Sequence, residues 1–102
     1  MFGPHPLGHW SGVKASNAGS SYRFLKAGAK YRVVRSFTDN DGDLHPEGEA
    51  WTFLGHAFLP YEDGLSLFVT LDGVNEWHIR MQCRPEAEGK VVDEFQAYVQ
   101  PA

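Results

Sequence analysis

AWTFLGHAFLPYEDGLSLFVTLDGVNEWHIRMQCR, residues 50–84, decides the fold. In 50–61, Trp51, Phe53, Gly55, Ala57 and Leu59 share one parity, and Thr52, Leu54, His56 and Phe58 share the other. The small residues Gly55 and Ala57 predict a bend or a close backbone approach there. Tyr61-Glu62-Asp63-Gly64 reads as a hairpin turn, because Asp-Gly takes the positive φ such turns need. Leu65, Leu67, Val69 and Leu71 then alternate with Ser66, Phe68 and Thr70, and Asp72-Gly73 marks another tight turn. Trp77, Ile79, Met81 and Cys83 alternate again, pointing inward. Period-two alternation is the mark of half-buried strands. Consecutive strands joined by tight turns pair antiparallel.

Upstream, KYRVVRSF (residues 30–37) places Tyr31, Val33, Arg35 and Phe37 on one parity and predicts a further strand. Phe24 to Gly28 leads into it as a turn closed by glycine, and Thr38-Asp39-Asn40-Asp41-Gly42-Asp43 follows as a turn-forming loop. Downstream, Val91, Val92, Phe95, Tyr98 and Val99 fall on one face of a helix, which Pro101 would end. A fifth strand is the alternative there. The expected fold is therefore mainly β, of the β-rich α+β kind. It is an antiparallel meander or an SH3-like, partly open barrel of about four to five strands with a short C-terminal helix. The expected core is Tyr31, Val33, Phe37, Trp51, Phe53, Leu65, Leu67, Val69, Trp77, Ile79, Met81, Phe95 and Tyr98.

Residues 1–21 are rich in Gly, Pro, Ser and Asn and have no period, so they are expected as a flexible N-terminal arm, with one β-rich domain over 22–102. Phe2, Leu7 and Trp10 are out of place in a solvated tail. They suit docking on the domain or on a second copy of it.

A chain of 102 residues supports one core. With net charge −4 and nine scattered basic residues it lacks the clustered Lys and Arg that a phosphate backbone requires, so no nucleic-acid partner is expected. No apolar run approaches the roughly 20 residues of a membrane span, and no secretory leader is visible. The lone Cys83 excludes an internal disulfide and suits a reducing, cytoplasmic setting.

Four stretches carry a resemblance. Gly28-x-x-Tyr31-x-Val33, Phe37-x-Asp39-x-Asp41-Gly42, His45-Pro46-x-Gly48-Glu49-x-Trp51 and Leu59-Pro60-Tyr61-Glu62-Asp63-Gly64-Leu65 resemble a small bacterial domain-of-unknown-function family. The resemblance covers roughly residues 25–99. Its motifs are turn formers and aromatic anchors, and it implies no activity.

The acidic loop is the first candidate site. Asp39, Asp41 and Asp43 are two apart, as in the first half of a Ca²⁺ loop, with Glu47 or Glu49 as further oxygen donors. Leu44 and Ala50 stand where an EF-hand needs Gly and Glu, so that motif fails. A looser divalent-cation site of Asp39, Asp41, Asp43 and Glu49 is one expectation; a plain turn loop is the other. His45 reads as a loop residue bonding backbone. His56 and His78 share the non-core parity of nearby strands and suit a shared metal or proton transfer, or simply two rim histidines. Glu47, Glu49, Glu62 and Asp63 would serve as acid and base only if desolvated. Cys83 points inward, and no nucleophile elbow or phosphate loop is present.

On the second face, Val34, Leu54, Phe58 and Phe68 are apolar, with Arg32, Arg80 and Arg84 as a polar rim. An uncovered patch of this kind marks a partner site, unless the helix or the N-terminal arm buries it. The function expected is a non-enzymatic protein-binding or self-association module, its partner a protein or a second copy. Leu54, His56, Phe58, Phe68 and Arg80 are the contact residues expected for it. The alternative is a metal-dependent or acid–base enzyme on Asp39, Asp41, His45 and Glu49.

Overall fold

Ten residues alternating large apolar with smaller groups make β8 (Ala50–Leu59) the longest strand, and the sheet is built outward from it. A computed structural model describes residues 1–12, 18–59 and 64–102. Along the chain the other strands are β1 (Phe2–Pro6), β2 (Ala18–Gly19), β3 (Ser21–Tyr22), β4 (Leu25–Lys26), β5 (Lys30–Val33), β6 (Phe37–Thr38), β7 (Leu44–His45), β9 (Gly64–Thr70), β10 (Asn75–Gln82) and β11 (Val99–Pro101). Two short helices, α1 (Gly89–Asp93) and α2 (Phe95–Tyr98), precede β11. The main sheet has the order β1-β10-β9-β8-β5-β11, with β2 also on β8; β3 pairs β4 and β6 pairs β7. Every pairing is antiparallel. The fold is thus mainly β, with β8, β9 and β10 forming the expected meander. The sheet is open and not closed into a barrel. The hairpin β8–β9 pairs Leu59 with Gly64, and the turn residues 60–63 read from the sequence lie outside the described residues.

One face of the sheet carries the core. Tyr31, Val33, Trp51, Phe53, Leu65, Leu67, Val69, Ile79 and Met81 are buried there, together with Phe37 and with Phe95 and Tyr98 from α2. Trp77 is half-buried against this cluster. Leu25, Val92 and Val99 join it unforeseen.

The expected bend in β8 is a β-bulge. Phe53 faces Val69 but Gly55 faces Phe68, so Leu54 is the extra residue. A one-residue slip moves every later side chain to the other face. His56 and Phe58 therefore stand opposite Leu67 and Leu65, on the core side, and the expectation that they share a face with Phe68 is corrected. The close approach is also at Gly55, where a β-carbon would lie 3.0 Å from the Gly19 carbonyl oxygen.

The strand expected over 30–37 is cut in two. Beyond Val33 the amides of Val34 and Arg35 both bond the Tyr98 carbonyl, so the chain leaves the ladder and Arg35 is exposed over the Tyr98 ring. At the C-terminus both alternatives hold in succession. The helical spacing buries Val92, Phe95 and Tyr98, and Val99 then starts a strand on β5.

Residues 1–12 are not a free arm. Phe2 pairs His78, His5 pairs Glu76 and Pro6 pairs Asn75, so β1 extends the sheet beyond β10. Composition misled here because Gly and Pro are compatible with an edge strand, whose outer groups need no ladder partner. Gly3 has φ +129°, and a β-carbon on it would lie 2.8 Å from the Glu76 carbonyl oxygen. The part of the expected arm at residues 13–17 lies outside the described residues.

Candidate interaction surface

The β6–β7 hairpin holds the acidic loop. Asp39 is buried, and its Oδ1 accepts the backbone N–H groups of Asp41 and Asp43 across a turn in which Gly42 has φ +84°. Its Oδ2 meets His45 Nε2 at 2.7 Å, while His45 Nδ1 meets a Glu49 oxygen at 2.6 Å. The Met1 amino group reaches Asp39 and Asp43. Asp41 pairs with Arg80. Among the described residues the loop's carboxylates are thus engaged by His45, Arg80 and the Met1 amino group. Its carboxylates are turned to different partners, and no group of three or more His, Cys, Asp or Glu among the described residues is placed to hold a metal. His45 bonds carboxylates and not backbone, contrary to the sequence reading. Burial opposes its charge, but the hydrogen bonds to Glu49 and Asp39 prevail and raise its pKa above the ordinary imidazole value. Burial likewise opposes charge on Asp39, and the bonds from His45, the Asp43 and Asp41 amides and the Met1 amino group still hold its pKa low. With both ring nitrogens engaged by carboxylates, this imidazole ties the acidic turn to Glu49 beyond β7.

A second cluster occupies the face of the sheet opposite the core. Phe68 and His78 are directly opposed across β9 and β10, with Glu76 and Arg80 on the same parity of β10. Residues 7–12 fold over them. Trp10 lies parallel to the Phe68 ring at 6.4 Å and tilted against His78 at 5.3 Å. Glu76 is 0% exposed. Its two oxygens accept the backbone N–H groups of Gly8, Trp10 and Ser11 and the Ser11 hydroxyl. Successive N–H groups turned toward one point make an anion seat, and here the seat is filled by a carboxylate of the sheet. Burial works against the Glu76 charge, and the Ser11, Gly8 and Trp10 donors outweigh it, so its pKa is lowered. His78 is pushed down to about 4, by burial first and then by Arg80. It is neutral near pH 7, and its Nε2 is buried without a hydrogen-bond partner among the described residues. Arg80 lies over the Phe2 ring at 5.1 Å, and His5 stacks on His9 at 4.1 Å.

The expected contact residues thus separate. Phe68 and Arg80 lie on this face, Phe68 buried beneath Trp10 and Arg80 bound to Asp41. His56 and Phe58 lie on the core side, with His56 against the Tyr22 ring at 5.0 Å. Leu54 is the bulge itself. His56 and His78 are on opposite faces and share no site. Of the acid–base candidates, Glu62 and Asp63 lie outside the described residues. Glu76 escaped the sequence reading, since an isolated glutamate on an outward parity looks like any solvated one. Trp10 in a Gly- and Pro-rich stretch was the one visible signal.

Fold and surface together define an open antiparallel sheet whose outer strand and non-core face are covered by the residues at the start of the chain. The chain belongs to the family described as Domain of unknown function (DUF3601), which matches residues 13–100. It is similar to the solved structure of an integron cassette protein from the mobile metagenome of Vibrio cholerae, with 38% identity, a TM-score of 0.80, and coverage of 88% of this chain and 99% of that one. No curated protein matched the chain. No helix among the described residues is long and apolar enough to cross a membrane.

Proposed function

We propose that the chain is a non-enzymatic protein-binding or self-association module, and that its binding surface is the outer edge of β10 with the adjoining face of Phe68, Glu76 and His78. The observation that carries this reading is the docking of residues 1–12, a segment ahead of the family match, onto that edge and face. A sheet edge that accepts an extended segment by backbone pairing, with pockets for alternate side chains, is the strand-addition mode of peptide recognition. Phe68 and His78 supply the aromatic floor and Glu76 supplies a buried acceptor for the turn that follows. In this reading the residues expected to contact a partner are Phe68, Glu76, His78 and Arg80. A protein is the partner, the cytoplasm the compartment, and a divalent cation has no part.

The test uses the full chain with Trp10→Ala and Ser11→Pro, which weaken the resident segment without altering the sheet. A labelled synthetic peptide of residues 1–12 is titrated against it by fluorescence anisotropy. Saturable binding that is at least tenfold weaker for the wild-type chain, where the segment competes, is the expected result. Absence of binding to a variant whose β8–β10 amides stay protected from exchange would overturn the reading.

A further inference from the structure

We infer that the seat on β10 is also filled in trans: residues 1–12 of one copy lie on β10 of a second, giving a strand-exchanged dimer. This rests on the binding reading above and names the partner as a second copy of this chain.

Three observations lead there. First, apart from Met1, which reaches Asp39, Asp43 and the core, the segment's interactions are concentrated on one receiving region. Among the described residues β1 pairs only with β10, Trp10 covers Phe68 and His78, and four hydrogen bonds from Gly8, Trp10 and Ser11 converge on Glu76. Second, the segment lies ahead of residue 13, where the family match starts, and the pairing of β10 with β9, from Trp77–Val69 to Gln82–Gly64, uses none of its residues. Departure of the segment therefore leaves the meander intact. Third, the vacated seat is unfavourable. It leaves a strand edge with unpaired backbone groups, an uncovered Phe68 and a carboxylate stripped of its donors.

The occupant that relieves all three must bring a residue able to approach the Glu76 carbonyl as Gly3 does, a turn offering three N–H groups, and an aromatic ring two residues past the first of those donors. Every second copy carries this combination. Exchange of an identical element costs no new contact. The competing term is proximity, since a short tether gives the segment an effective concentration of order mM on its own seat.

The test mixes two full-length variants. Glu76→Gln keeps the segment and weakens the seat; Trp10→Ala/Ser11→Pro keeps the seat and weakens the segment. Each alone is expected to run at the 11.4 kDa monomer mass in sedimentation velocity at about 100 μM. Their mixture is expected to give a species of twice that mass, which added peptide 1–12 dissociates. No doubled species in the mixture overturns the exchange, provided both variants keep β8–β10 amide protection. Doubling by each variant alone overturns it as well, because another interface is then at work. If the peptide binds the double variant but the mixture stays monomeric, the binding surface stands and the exchange fails.

Discussion

A histidine gripped by a carboxylate at each ring nitrogen holds its proton more firmly than a free one, and removing it does more than remove a ring. His45 is buried between Asp39 and Glu49, with Phe37 stacked on it at 4.8 Å. His45→Ala leaves Asp39 buried without its main counter-charge. Breaking a buried charged pair from one side costs about 3–5 kcal/mol, and that is the destabilisation expected in urea denaturation at pH 6. A loss under 1 kcal/mol would show that Asp39 is satisfied by its backbone donors alone. The spacing groups Asp39 with Glu49, and in the fold both meet the same imidazole. Alternating aspartates suggest a cation site, and an imidazole six residues on is a cation too. Nothing in the spacing of Asp39, Asp41, Asp43 and Glu49 tells whether the charge they face is a metal or a ring.

At the scale of elements, the bulge at Leu54 accounts for most of what could not be read. Simple alternation holds up to Phe53 and inverts after it, so His56 and Phe58 take the core face that alternation from Trp51 assigns to Gly55 and Ala57. A bulge leaves no fixed signature beyond a small neighbour, and Gly55 was that signal. Its role is testable. A β-carbon at Gly55 would sit 3.0 Å from the carbonyl oxygen of Gly19, so Gly55→Ala obliges β2 to give way slightly on β8. Overpacking of this size costs about 1–3 kcal/mol. Hydrogen exchange is expected to rise at Ala18 and Gly19 while β9 and β10 keep their protection. Unchanged exchange there would mean that β2 adjusts without loss. β1 has the complementary lesson: its Pro and Gly content marked a tail by composition, and an edge strand tolerates the same residues.

For the whole molecule, the non-core face of the main sheet and the β6–β7 hairpin set opposite limits on stability as pH changes. On the non-core face, His78 has a folded pKa of about 4 against an ordinary value near 6.5. Below pH 6.5 the unfolded chain takes up a proton that the fold refuses, so stability falls as pH drops toward 4. The groups nearest it are Arg80, Asp41, Glu76 and the Met1 amino group, and burial with Arg80 outweighs the two acids. Lower still, Asp39 and Glu76, whose pKa values are depressed, lose their hydrogen-bonded charge and add to the acid limb. Glu88 acts the other way, because burial raises its pKa and the fold favours its protonated form. On the alkaline side two groups with raised pKa values lose their charge, the Met1 amino group at higher pH and, before it, His45. Its raised pKa means its contribution is complete below about 6.5 and vanishes as pH climbs through the folded value. The urea midpoint is therefore expected to be highest near neutrality, with an acid limb that begins about two units above the carboxylate range. His78→Phe keeps an aromatic ring under Trp10 and removes the proton. Its acid limb is expected to start only below about pH 4.5, where carboxylates titrate, with the alkaline limb unchanged. Amide exchange in residues 2–12 near pH 4 is the local readout, since His78 takes up its proton there directly beneath that segment. An acid limb that starts at the same pH in His78→Phe as in the wild type would place the charge elsewhere in the sheet.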